Sequence, residues 1–201
     1  LYTTLYGSIP ITGVELDPQI LQVGQTYFGA TWPNYAAVAA DGRRWLAQQA
    51  PDTKFDVVAV DAYRPPYIPF HLTTVEFFQE VRDHLAADGV LIINVGRTQS
   101  DRRLVEAMTR TLLDVFPTVH TLDVPDAYNT ILVATRQPTL AQNLIANIAA
   151  LPPDAHPVLR EVLGDAWNAL VPTVASDVRF TDDRAPVEML VDSMVVEFML
   201  S

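Results

Sequence analysis

Cysteine is absent from the chain, which excludes disulfides, zinc–thiolate sites and thiol catalysis, and agrees with a reducing compartment. Positive charge is scarce: 13 Lys and Arg stand against 24 Asp and Glu, a net charge of -11 at pH 7. Such a surface repels a phosphate backbone, so no nucleic-acid partner is expected, while a cationic ligand is weakly favoured. Long hydrophobic runs are missing too. The apolar stretches fall well short of the roughly 20 residues that cross a bilayer, and nothing has the pattern of a signal peptide. Repeats, low-complexity tracts and a clear second domain are also lacking. The four histidines, His71, His84, His120 and His156, are scattered. No second His or Cys stands at a metal-binding spacing, and no serine nucleophile completes a triad, so neither a metal nor a serine hydrolase site is expected.

What is present is a globular composition, 49% hydrophobic against 18% charged over 201 residues, enough for one domain with a sizeable core. The chain opens on Leu1 rather than Met, and LYTTLYG reads as the tail of a helix stopped at Gly7, so the start is expected to be a cut. From there strand-like and helix-like segments alternate as a parallel α/β sheet requires. Strands are expected at 9–16, 35–41, 55–61 and 89–96, and helices at 18–29, 42–50, 73–87 and 100–116. Segments 118–124 and 130–136 then read as an antiparallel hairpin at the sheet edge. An Ala-rich helical stretch, a helix near 158–170 and a final apolar helix after TDDRAPVE complete the pattern.

Three acidic residues each end an apolar run: Glu15 in ITGVELDP, Asp41 in YAAVAADG and Asp61 in FDVVAVDAYRPP. In an open α/β sheet ligands bind beyond the carboxyl ends of the strands, so three carboxylates placed there describe one ligand crevice. Glu15 can accept two hydrogen bonds from vicinal ribose hydroxyls, or can be an exposed acid near a helix start. Asp17, before Pro18, suits a helix N-cap. Asp41 with Gly42 fits either a ligand contact with close backbone approach or a plain strand-to-helix turn. Asp61 fits either a carboxylate of that crevice or an acid capping the next turn.

The stretches GVELDP (13–18) followed by YF (27–28), DGRRWL (41–46), FDVVAVDAYRPPYIPFHLTTVEFF (55–78), GVLIINV (89–95) and TDDRAPVE (181–188) together resemble the catalytic domain of the spermidine synthase family. The likeness is strongest to spermidine synthase-like domains often fused to membrane segments. The resemblance implies a Rossmann-like, S-adenosylmethionine-dependent methyltransferase fold: an α/β sheet, mostly parallel, with an antiparallel edge hairpin. It implies aminopropyl transfer from decarboxylated S-adenosylmethionine to putrescine or a related small-molecule amine, without a metal. Glu15 would hold the ribose, Asp41 and Gly42 the adenine end, and Asp61 would accept a proton from the amine. Tyr63 would line the amine site or serve in packing, and Asp182 and Asp183 of the TDD turn would close over that site or form an Asp-rich turn capping the final helix. A cytoplasmic location follows, or a cytoplasmic domain of a membrane protein, and a homodimer remains open.

Two departures from the family pattern stand out. Arg64 occupies the place of a second family aspartate in DAYRPP, reversing a charge where a cationic amine would bind. It can point outward, pair with Asp182 or Asp183, or recruit an anionic group. Further, the family's first strand and glycine-rich loop are missing from the sequence. By the resemblance that strand belongs between the strands ending at Glu15 and Asp61. The alternatives kept beside aminopropyl transfer are an S-adenosylmethionine-dependent methyltransferase and a non-catalytic nucleoside-binding domain of a membrane-fused protein.

Overall fold

The computed structural model describes residues 2–200. A short helix α1 (Tyr2–Tyr6) leads to strand β1 (Ile11–Glu15), helix α2 (Pro18–Phe28), strand β2 (Tyr35–Ala39) and helix α3 (Gly42–Ala47). Strand β3 (Phe55–Val60) is followed by a 3-10 turn (Phe70–Leu72), helix α4 (Val75–His84) and the long strand β4 (Leu85–Gly96). Helix α5 (Arg103–Leu113), strands β5 (Thr118–Asp123) and β6 (Asn129–Thr135), and helices α6 (Gln142–Ala150) and α7 (Pro157–Ala169) come next. The chain closes with the two-residue strand β7 (Leu170–Val171) and helix α8 (Val187–Leu200).

Local chemistry sets these boundaries. Asp17 accepts a hydrogen bond from the Gln19 N–H at 2.8 Å, with Pro18 at the first helical position of α2, and Gly29 ends that helix at φ 64°. Each device satisfies orphan backbone groups or takes a left-handed conformation that Cβ disfavours. Thr74 caps α4 by accepting from the Phe77 N–H at 3.2 Å.

The strands form two sheets. β1 pairs with β2 in parallel, and β3 pairs with β4 in parallel; β6, β5 and β7 extend the second sheet antiparallel in the order β3-β4-β6-β5-β7. The parallel strands and the antiparallel hairpin are thus as expected, but a single continuous sheet is not formed. β1 and β3 make no ladder with one another, and the break falls where the resemblance puts the family's first strand. The helix expected over 73–87 ends at His84, because Leu85 already pairs with Phe55 and is fully buried. Helix α7 ends at Ala169, one residue short of the helix expected near 158–170, because Leu170 pairs with Leu122 in β7.

The core sits on the five-stranded sheet. Leu91, Ile93 and Val95 alternate along β4 and are buried on one face against Phe78 and Val81 of α4 and Met108 and Leu112 of α5. By contrast α2 buries nothing, leaving Ile20, Val23, Tyr27 and Phe28 exposed. A strand pair with neighbours on one side only cannot shelter a helix face as a five-stranded sheet does.

Candidate functional site

Glu15 is the last residue of β1, and Asp41 and Asp61 stand just beyond the ends of β2 and β3, so all three lie at carboxyl ends of parallel strands. Their surroundings differ. Glu15 Oε1 accepts from the Asp17 N–H at 2.9 Å, which turns the carboxylate toward the start of α2. Asp41 is engaged through both oxygens: Oδ1 caps α3 by accepting from the Arg44 N–H at 2.9 Å, and Oδ2 lies 2.8 Å from His71 Nε2. The turn reading of Asp41 and Gly42 is therefore realised.

Asp61 belongs to a separate group. Its Oδ1 accepts from Asn94 Nδ2 at 3.0 Å, and its other oxygen has no partner among the described residues. Asn94 Oδ1 in turn accepts from Asn129 Nδ2 at 2.9 Å. Tyr63 closes the same end of the sheet: its hydroxyl donates to the Asn94 carbonyl at 3.0 Å and accepts from the Gly96 N–H at 2.9 Å. Burial, and the nearby Asp61 charge, push the Tyr63 phenol up, so it stays a neutral donor. Its hydroxyl is thus committed to the β4 backbone. Tyr67 donates to Asp192 on α8 at 2.6 Å.

The TDD turn is tied down in steps. Phe180 is fully buried; its N–H donates to Thr111 Oγ1 and its carbonyl accepts from the Val75 N–H, both at 3.0 Å. This delivers Asp182 to Arg43, which donates from Nη1 and Nη2 to its two carboxylate oxygens at 2.7 and 2.8 Å. Arg43 also donates to Glu80 Oε1 from Nε and Nη2 and to the His71 carbonyl, and Thr74 Oγ1 donates to Asp182 at 2.7 Å. The hydrogen bonds it donates to Asp182, and then those to Glu80, hold the Arg43 guanidinium well above its usual pKa despite burial. Asp182 therefore serves as a staple between α3, α4 and the last loop, while Asp183 is exposed and bonds to nothing among the described residues. Arg64 does not pair with either: it is exposed and joins Tyr67 only through backbone hydrogen bonds.

Arg43, Glu80, Asn94 and Asn129 were not among the expected site residues. Asn94 carried a signal, as the one amide inside the apolar run GVLIINV, where a polar side chain needs a partner. Arg43 carried none, since its partners lie 37 and 139 residues away.

Four carboxylates are held below their usual range. The Arg43 guanidinium is the main cause at Asp182 and Arg103 at Asp101. At Asp41 and Asp123 burial pushes upward, and hydrogen bonds from Arg44 and His71 in one case, Arg102 and Thr130 in the other, outweigh it. Lowered folded-state values mean that this stabilisation is complete above the unfolded carboxylate pKa of about 4 and is lost as pH falls through the lowered values. The urea midpoint is expected to change little from about pH 7 to 5 and to drop below about pH 4, less so in Asp182→Asn. Equal midpoints at about pH 5 and pH 2.5 would contradict it.

The family model for the spermine/spermidine synthase domain matches residues 8–143. A probable polyamine aminopropyl transferase of Bifidobacterium longum is 34% identical over 92% of this chain and 44% of its own length. A polyamine aminopropyltransferase of Vibrio vulnificus is 29% identical over 75% of this chain and 52% of its own. The chain thus spans about half the length of these curated relatives. Among solved structures, a probable spermidine synthase of Corynebacterium glutamicum superposes with a TM-score of 0.64 at 22% identity, over 82% of this chain and 64% of that one. Human methyltransferase-like protein 13 in complex with SAH gives 0.61 at 21%, over 88% and 78%. A spermidine synthase in complex with the transition state analogue AdoDATO gives 0.61 at 19%, over 81% and 58%. These likenesses show the methyltransferase-like fold. Among the described residues no helix is long and apolar enough to cross a membrane.

Proposed function

This chain belongs to the spermine/spermidine synthase family, and from that premise we propose that it forms part of an enzyme transferring an aminopropyl group from decarboxylated S-adenosylmethionine to a small amine such as putrescine. The observation that carries the reading is the half-engaged carboxylate of Asp61. One oxygen is fixed by Asn94 and the other is open at a strand end. The reaction needs such a group. The neutral amine nitrogen attacks the carbon next to the sulfonium, the carbon–sulfur bond breaks, and methylthioadenosine leaves with both electrons. The proton lost by the amine needs an acceptor positioned beside the nitrogen, and the open oxygen of Asp61 can take it.

Glu15 is assigned to the ribose hydroxyls and Asp41 with Gly42 to the adenine amine. Because Asp41 already binds Arg44 and His71, it meets a nucleoside as a preoriented carboxylate. Tyr63 bounds the amine site by its ring and Asp183 supplies exposed negative charge there, whereas Asp182 acts through Arg43. A donor of this kind is an intracellular metabolite, which suits a cytoplasmic site, whether the parent protein is a homodimer or carries a membrane part.

Arg64 favours a second reading. An exposed guanidinium three residues after Asp61 suits the carboxylate of intact S-adenosylmethionine and opposes a cation, which would make the reaction methyl transfer. Calorimetric titration with decarboxylated S-adenosylmethionine, S-adenosylmethionine and methylthioadenosine separates the two. Preference for the decarboxylated form is expected, with Asp41→Ala weakening it about 10- to 100-fold, the range for loss of a hydrogen bond to a charged group. Preference for the carboxylated form would establish the methyl-transfer reading, and no binding of any of the three by the full-length protein would sink both.

A further inference from the structure

We propose that Asn94 and Asn129 are positioning residues for Asp61, a two-amide relay across three strands that sets which way its carboxylate faces; the role in turnover rests on the function proposed above. The placement follows from the sheet. β3 and β4 run parallel with Val60 opposite Ile93, so Asp61 and Asn94 are the next neighbours toward the carboxyl ends. β6 runs antiparallel on the far side of β4, with Gly96 opposite Asn129, two positions beyond Asn94. The three side chains therefore line one end of the sheet.

Chemistry fixes the direction of the relay. An ionised carboxylate only accepts, so the Asn94 group facing Asp61 must be the nitrogen. That leaves Asn94 Oδ1 facing β6, where Asn129 Nδ2 donates to it at 2.9 Å. Removing Asn129 leaves Asn94 Oδ1 without this donor, so the amide plane is held by its bond to Asp61 alone and can tilt, taking the carboxylate with it. The Tyr63 hydroxyl clamps the Asn94 carbonyl and the Gly96 N–H from the other side, so the β4 end cannot shift to compensate. Asp61 is thereby held with one oxygen turned into the sheet and the other out of it. A base displaced by about 1 Å loses much of its effect, which is why two residues that touch no substrate matter to the rate.

Two measurements test this. In steady-state assays of methylthioadenosine release, Asn94→Leu is expected to lower kcat about 10- to 30-fold with the KM of the nucleoside donor within about twofold, and Asn129→Leu about three- to tenfold. The double variant should be no slower than Asn94→Leu alone, since Asn129 acts only through Asn94. Additive losses, or Asn94→Leu within about twofold of the parent kcat, would overturn the relay and leave aminopropyl transfer standing. The second measurement needs no turnover. In 1H–15N spectra of the side-chain amides, Asp61→Ala should move the Asn94 resonances strongly and those of Asn129 less, whereas Asp183→Ala should move neither. If Asp61→Ala left the Asn94 amide unmoved, the relay would be wrong whatever the enzyme does. A parent protein inactive with every amine, yet showing these shifts, would refute the proposed function and keep the geometry.

Discussion

Asp61→Asn is expected to lower kcat/KM for the amine acceptor about 1,000-fold, within the range of about 100- to 10,000-fold that a positioned general base contributes. Asparagine keeps the size of the side chain and its carbonyl oxygen can still accept from Asn94, so the fold and the nucleoside site are left alone. What disappears is the proton acceptor. An alkylamine with a pKa near 10 is only about one part in a thousand neutral at neutral pH, so without the carboxylate the reaction waits for that fraction. The variant should therefore speed up about tenfold per pH unit until about pH 9, while the parent rises far less steeply. Methylthioadenosine release against pH for both proteins is the measurement. A variant within about threefold of the parent at neutral pH would remove Asp61 from the chemistry.

Arg43→Met is expected to destabilise the domain by about 2 to 3 kcal/mol, lowering Tm by about 5 to 10 °C for a chain of this size. The guanidinium is 17% exposed and bridges Glu80 and Asp182, which are 33% and 42% exposed. That partial exposure keeps the expected cost below the 3 to 5 kcal/mol typical of a fully buried broken pair. Methionine fills similar space but strands two carboxylates, and Glu80 Oε2 is already buried without a partner. Lysine should restore little, because a single ammonium cannot reproduce a fork that meets both oxygens of Asp182 and still reaches Glu80. The combined variant Arg43→Met, Glu80→Met, Asp182→Ala should be more stable than Arg43→Met alone, since it removes the stranded charges together with their partner. Equal urea midpoints for parent and Arg43→Met would show that the staple holds nothing.

The sequence by itself determined the alternation of strands and helices, the antiparallel hairpin, the N-cap at Asp17, and the carboxylates at the ends of β1, β2 and β3. These are local properties: hydrophobic period, turn residues and capping act over a few positions, so neighbouring residues carry the information. Arg64 was legible as a reversed charge only against the family pattern. Only the tertiary structure decided what each carboxylate does with its oxygens. Asp182 looked like a substrate ligand until Arg43, 139 residues earlier, was found against both its oxygens. The Tyr63 hydroxyl clamps β4, and Asp61 keeps one oxygen open because, among the described residues, Asn94 alone reaches its carboxylate. The division of the strands into two sheets was decided the same way, by which backbone edges find partners. Hydrogen bonds and ion pairs between distant segments depend on angstrom-scale approach after the chain has folded, and a one-dimensional pattern does not encode that distance.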